Sequence, residues 1–243
     1  MAGLAVKAGA PGPHIEGDTA TFDLARQTLR ELNQFLHKGL GGVKKVKVLN
    51  PDGAHSLAAG VNAPVEIEID GHAGYYAGGM NQHASLLVRG NAGPGVAEGM
   101  TSGRVHVKGF ASVSAGAAAH GGLLVIEGDA SLRCGISMKG VDIVVGGSVG
   151  DFSAFMAQAG RLVICGDAGD ALGDSLYEAV IYVRGKVRSL GADAGEQPMT
   201  EADSRAVADL LARAGLQHDP KQFRRIASRR ELYHWNADSN QEY

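Results

Sequence analysis

The chain has 243 residues, a formal net charge of −3 and two cysteines. That length fits one large domain or two small ones, and the near-balanced charge excludes a broad electrostatic footprint for nucleic acid. Thirty-six glycines with only 5% aromatics exclude a core of large rings, and two cysteines exclude a disulfide framework and fit a reducing cytoplasm.

Residues 1–20 read as a flexible leader, because "MAGLAVKAGAPGPHIEGD" lacks the sustained apolar segment of a signal peptide. No run approaches the ~18 apolar residues that cross a bilayer, so a soluble, cytoplasmic chain is expected. Residues 21–64 read as an N-terminal strand and helix cap. Within them, "TLRELNQFLHKG" carries a capping box, Thr28 with Glu31, and a stop at Gly39. Leu29, Leu32, Phe35 and Leu36 supply its apolar face.

Residues 65–194 carry a repeat. Strand-like runs close on Gly71, Gly90, Gly109, Gly128, Gly147, Gly166 and Gly185, each 19 residues after the last. Two residues before each glycine stand Ile69, Val88, Val107, Ile126, Val145, Ile164 and Val183, all β-branched. Four before stand Ile67, Leu86, Val105, Leu124, Ile143, Leu162 and Ile181. The period of two puts both sets on one strand face, where they are expected to stack inside the fold. A strand and turn of this length cannot bury its apolar face alone, but stacked copies can. The pattern predicts a mainly β, single-stranded parallel β-helix of about seven coils. Stacked at the ~4.8 Å strand spacing, these make a rod of roughly 30 Å. A left-handed β-helix would show a hexapeptide ruler and 18-residue coils instead. The ruler glycines are expected to turn corners, through positive φ or close backbone approach.

The residue three before each glycine points outward: Glu68, Leu87, His106, Val125, Val144, Val163 and Tyr182. The stripe Val125, Val144 and Val163 needs cover, from the chain's own helices or from a partner docking there. Residues 195–243 read as C-terminal helices and a tail, so that helical caps stand at both ends of the rod. "TEADSRAVADLLARAG" starts at Thr200 with Asp203 and stops at Gly215; a second helix is expected in "DPKQFRRIASRRELYHW", with Pro220 near its first turn. The tail "NADSNQEY" has no periodicity and is free to reach a neighbour.

Candidate chemistry is sparse. "GDAGDALGDS" is glycine-rich but lacks the spacing of a phosphate loop, and its aspartates repel phosphate. Cys134 and Cys165 occupy different coil positions with no metal-ligand spacing around either; Cys134 reads as buried, Cys165 as a surface thiol. His72, His83, His106 and His120 have no partners in a triad order. Asp170, Asp174 and Glu178 recur every four residues and would share a face on one helical turn, able to meet a cation or a partner. Met80, Met100, Met138 and Met156 follow their coil glycines by nine or ten residues and are expected to fill one corner of the core. No catalytic, cofactor-binding or metal-binding residue is assigned. The candidate interface is Val125, Val144, Val163, Met138, Lys139, Asp170, Asp174 and Glu178.

The glycine ruler resembles the GXGXG domain at the C-terminal end of the glutamate synthase large subunit, a right-handed β-helix. "TFDLARQTLRELNQFLH", "GYYAGGMN", "GNAGPGVAEGMTSG", "RCGISMKGVDIVVGG", "MAQAGRLVICGDAGDALGDSLYEA" and "VRGKVRSLGADA" are most similar to its free-standing version, the B subunit of N-methylglutamate synthases (methylamine–glutamate N-methyltransferases). The resemblance implies a non-catalytic scaffold in a complex that forms N-methylglutamate and ammonia from glutamate and methylamine. It implies an amidotransferase-like partner and a barrel partner carrying FMN and iron–sulfur clusters, with no cofactor on this chain, no nucleic acid and no membrane. "CGISMKG", with Met138 and Lys139, is then a candidate contact with the flavin-carrying partner. The alternative is the same fold in another complex, as a subunit like the related one of formylmethanofuran dehydrogenase or a free-standing glutamate synthase-like module.

Overall fold

A computed structural model describes residues 12–230. Twelve strands form one sheet, in the order β1-β2-β3-β4-β5-β6-β7-β8-β9-β10-β12-β11. In chain order they are β1 (His14–Glu16), β2 (Thr19–Asp23), β3 (Lys45–Leu49), β4 (Glu66–Asp70), β5 (Ser85–Val88), β6 (Arg104–Val107), β7 (Leu123–Ile126), β8 (Lys139–Val145), β9 (Ala159–Ile164), β10 (Val180–Val183), β11 (Ala194–Gln197) and β12 (Arg224–Ser228). Two α-helices lie among the described residues, α1 (Leu29–Lys38) and α2 (Glu201–Ala214).

From β2 to β10 every neighbouring pair is parallel. The chain is a parallel β-solenoid, as its 19-residue ruler requires. Ile67 pairs with Leu86, Leu86 with Val105, and so on to Leu162 with Ile181. Both inward rows are buried at 2% exposure or less. The ladder also runs two strands further forward than the ruler: Val46 pairs with Ile67, and Ala20 with Val46. Those steps are longer than 19 residues, because α1 is spliced into the first, so the period does not reveal them. β1 pairs antiparallel with β2. The chain from His14 onward is therefore part of the sheet, which corrects the reading of residues 14–20 as leader.

Each coil has three sides. The sheet side is followed by a bridge side, where Ala73, Ala92, Ala111, Ala130, Val149, Ala168 and Val187 pair in one row. A turn side then leads back to the next strand. The ruler glycine stands between the first two. Only Gly71 among the seven has positive φ. The others are needed for close approach: a Cβ on Gly109 would run into Asn91 Oδ1, and one on Gly185 into Asp167 Oδ1.

α1 starts on its Thr28–Glu31 capping box and ends at Gly39. Leu32 and Leu36 are buried in the main core, with Leu29 and Phe35 packed against it. Asn33 reaches the first coil, donating to Ser56 O at 2.9 Å and accepting from Ala58 N at 3.1 Å. α1 therefore covers the front of the rod. At the back, β12 pairs antiparallel with both β10 and β11. The helix expected around Pro220 is a single 3₁₀ turn, Pro220–Gln222, and Arg224–Ser228 is strand. The edge of β10 needed a partner, and Phe223, Ile226 and Ala227 are buried there. The rest of that expected helix, and the tail "NADSNQEY", lie outside the described residues.

Candidate functional site

α2 lies along the outward face of the last strands. Its Val207, Leu210, Leu211 and Ala214 form a second buried cluster with Leu123, Val125, Val144, Val163, Cys165, Tyr182 and Phe223. At ~1.5–3 kcal/mol per buried Val or Leu side chain, the helix is held mainly by that stripe. Its start is latched as well. Asp203 accepts from Thr200 N and Oγ1 and from Tyr182 Oη at 2.7 Å, and lies 3.3 Å from Arg225 Nε. Burial opposes the Asp203 charge, but these hydrogen bonds and Arg225 outweigh it and hold the carboxyl below its ordinary range.

Several expected site residues are thereby withdrawn from the surface. Val125, Val144 and Val163 have no exposure, because α2 covers them. Met138 is likewise buried in the main core, while Lys139 is exposed beside it. Cys165 is buried under α2 and is not a surface thiol; burial pushes it up to about 11, and buried Cys134 up to about 12. Neither is suited to act as a nucleophile near neutral pH. Asp170, Asp174 and Glu178 share no helical face, since that stretch is coil turn. Asp170 is paired with Arg188 Nη2 at 2.9 Å and with Ser189 Oγ at 3.0 Å. Among the described residues no group of three or more His, Cys, Asp or Glu is placed to hold a metal ion.

On the front half of the sheet, away from the α2 cluster, several outward side chains are ion-paired. Arg89 meets Glu68 at 2.5 Å, and Glu127 takes Lys108 at 2.6 Å and His106 at 2.9 Å. Glu68 and His106 line a cavity of about 610 Å³ with Lys45, Lys47, Glu66 and Arg104. His106 is held below its ordinary range by burial, with Arg104 and Lys108 adding to this and Glu127 opposing it.

The turn side is different. Eight of the ten large apolar side chains exposed among the described residues lie on it or where the chain leaves it: Tyr75, Tyr76, Met80, Leu132, Phe152, Met156, Tyr177 and Leu190. Two of the four methionines expected in the core are among them. Met100 and Met138 stand ten residues after their ruler glycines and Met80 and Met156 nine, and in an alternating segment that one position reverses in and out.

The backbone causes that alternation. Three rows of left-handed residues run along the turn side: 76, 95, 114, 133, 152 and 171; 78, 97, 116, 135, 154 and 173; 80, 99, 118, 137, 156 and 175. Twelve of these eighteen residues are not glycine, including Tyr76, Arg133, Phe152 and Met156. Each such residue costs about 1–2 kcal/mol. The stack offsets the strain with hydrogen bonds in both directions. Phe152 N donates forward to Asp170 O at 2.8 Å, Ala154 N back to Cys134 O at 2.7 Å, and Met156 N forward to Asp174 O at 2.9 Å. Sequence periodicity could have flagged these exposed residues only if the turn rows were read in the same 19-residue register as the strands.

No protein-family model matches the chain. It is 58% identical over 225 residues to Protein GlxC of Rhizobium meliloti (strain 1021), an alignment covering 91% of this chain and 99% of that protein. The chain belongs to the GlxC family. No helix among the described residues is long and apolar enough to cross a membrane. For this member of the GlxC family, the site geometry is that of a stacked rod with a back face covered by α2, a front face that carries ion pairs and a turn side with exposed apolar side chains.

Proposed function

We propose that the chain is the non-catalytic scaffold subunit of a glutamate-synthase-like complex, which forms N-methylglutamate and ammonia from glutamate and methylamine. In that complex it holds an amidotransferase-like subunit and a barrel subunit that carries FMN and iron–sulfur clusters. The resemblance of the glycine ruler supplies the chemistry. The observation that carries the scaffold role is the turn side, where eight large apolar side chains are exposed and four of them, Tyr76, Met80, Phe152 and Met156, stand at left-handed backbone positions. Monomeric proteins seldom keep such a patch without a partner, and strain of this kind persists where function requires it. A stacked rod suits the task, since small misplacements of reacting groups cost rate.

The test is co-expression of the three subunits, with Phe152→Asp and Met156→Asp together in this chain. Both side chains are exposed, so the lone variant is expected to fold while its co-purification with the partners falls at least tenfold. N-methylglutamate formation by the purified lone chain, or a wild-type chain that never co-purifies, would sink the proposal.

A further inference from the structure

The back end of the rod is basic on a chain that is acidic as a whole. Residues 180–230 hold ten Lys and Arg against six Asp and Glu, whereas the full chain has a net charge of −3. Most of the cations here are matched. Arg188 pairs with Asp151 and Asp170, Arg205 with Glu201, Arg213 with Asp142 and Asp209, Arg225 with Asp203, and Arg230 with Asp193. Arg184 and Lys186 have no carboxylate within ion-pair distance among the described residues.

These two point outward on alternate residues of "VRGKV" and line one open concavity of about 710 Å³ with Asp167, Gly185, Val187 and Arg224. Two of its cations are fixed by backbone. Arg184 Nε donates to Cys165 O at 2.7 Å, and Arg224 Nη2 to Gly185 O at 2.6 Å. Pinning at one nitrogen leaves the remaining guanidinium N–H groups of Arg184 for a ligand. Arg224 lies 3.3 Å from Glu196 through Nη1. Asp167 is the only carboxylate among the lining residues, and its Oδ1 is held by the Lys186 amide at 2.7 Å. His218 stands close enough for Arg184 to act on it; burial first, then that charge, hold its imidazole below the ordinary range.

We propose that this concavity, centred on Arg184, Lys186 and Arg224, binds an acidic peptide segment of a partner subunit. A planar guanidinium held in place, as Arg184 is through Nε, matches a carboxylate in paired hydrogen bonds, with Lys186 and Arg224 adding positive charge beside it. A nucleic acid fits less well. It needs a track of cations along a surface, whereas here three cations meet in one hollow and the rest of the chain is net negative. The source of the segment rests on the scaffold reading; the site itself rests on its own geometry.

The test uses the full chain and a fluorescently labelled hexaglutamate peptide, with hexalysine and a dT12 oligonucleotide as comparisons. Saturable binding of hexaglutamate is expected, weakening steeply as salt rises from 50 to 300 mM. Lys186→Glu alone and Arg184→Glu with Lys186→Glu are expected to weaken it at least tenfold. The single variant removes a side chain without internal partners, so it keeps the fold. The His218 imidazole pKa, followed by NMR, is expected to rise on saturation as the peptide screens Arg184. Absence of saturable binding, unchanged affinity in both variants, or tighter binding of dT12 than of hexaglutamate overturns the site. If the wild-type subunits co-purify but hexaglutamate does not bind, this proposal fails and the scaffold reading stands. If hexaglutamate binds as described and no subunits co-purify, the site stands and the scaffold reading fails.

Discussion

The corner between sheet side and bridge side shows what one residue does in a stacked fold. His72 Nδ1 accepts from Asn91 N, Asn91 Oδ1 from Phe110 N, Asp129 Oδ1 from Ser148 N, Ser148 Oγ from Asp167 N, and Asp167 Oδ1 from Lys186 N. Phe110 is the gap in this ladder, 53% exposed and without an acceptor for the next coil. Phe110→Asn is expected to close it and stabilise the chain by about 0.5–1.5 kcal/mol, read as a rise of a few degrees in Tm. Phe152 poses the opposite trade. Its φ is +56°, so Phe152→Gly relieves strain of about 1–2 kcal/mol against a glycine entropy cost of about 0.5–1 kcal/mol. The lone variant is expected to melt no lower than wild type, while its hold on partner subunits weakens. A drop in Tm would show that Phe152 is there for the fold. Both thiols are expected to resist Ellman's reagent at pH 8 until denaturant is added, since both are buried with raised pKa values.

At the scale of elements, α2 is the piece whose placement could be read least. Its limits were legible from Thr200, Asp203 and Gly215, because caps are local chemistry. Its docking depends on which outward stripe is apolar, and Val125, Val144 and Val163 signalled a need for cover without naming what supplies it. The expected second helix failed for a similar reason. Local propensity favours helix around Arg224–Ser228, but the open edge of β10 outweighs it. Leu210→Ala is expected to cost about 2–5 kcal/mol, seen in denaturant unfolding. The Asp203 latch adds a pH dependence. Its carboxyl titrates lower folded than unfolded, so its stabilising contribution is complete above the unfolded value of about 3.9. That contribution is lost as the pH falls through the folded value. Asp203→Asn is expected to flatten the loss of stability below about pH 4; an unchanged acid profile would assign no such role to the latch.

For the whole molecule, the ruler decides what can be altered. Coils from β4 to β10 were legible because Ile67, Leu86, Val105 and their successors repeat without insertion. The front strands and the turn-side surface were not, since α1 breaks the first step and the left-handed rows follow no residue type. Deleting residues 91–109, one full period, is expected to leave a cooperative fold shorter by about 4.8 Å. Deleting residues 91–108 instead shifts every later inward side chain out of register and is expected to give an unfolded or aggregated product. Circular dichroism melts of the two deletions separate these outcomes.

The alternating direction of the hydrogen bonds between coils has a further consequence. Ala73 N donates forward to Asn91 O while Gly74 N donates back to Ala54 O, and the turn side alternates in the same way. Successive peptide dipoles along the rod axis therefore cancel, unlike those of an α-helix of equal length. The two poles of the rod have almost no electrostatic character from the main chain. What a neighbouring subunit senses at either pole is set by side chains, so charge at one pole can change by substitution with no backbone field to overcome.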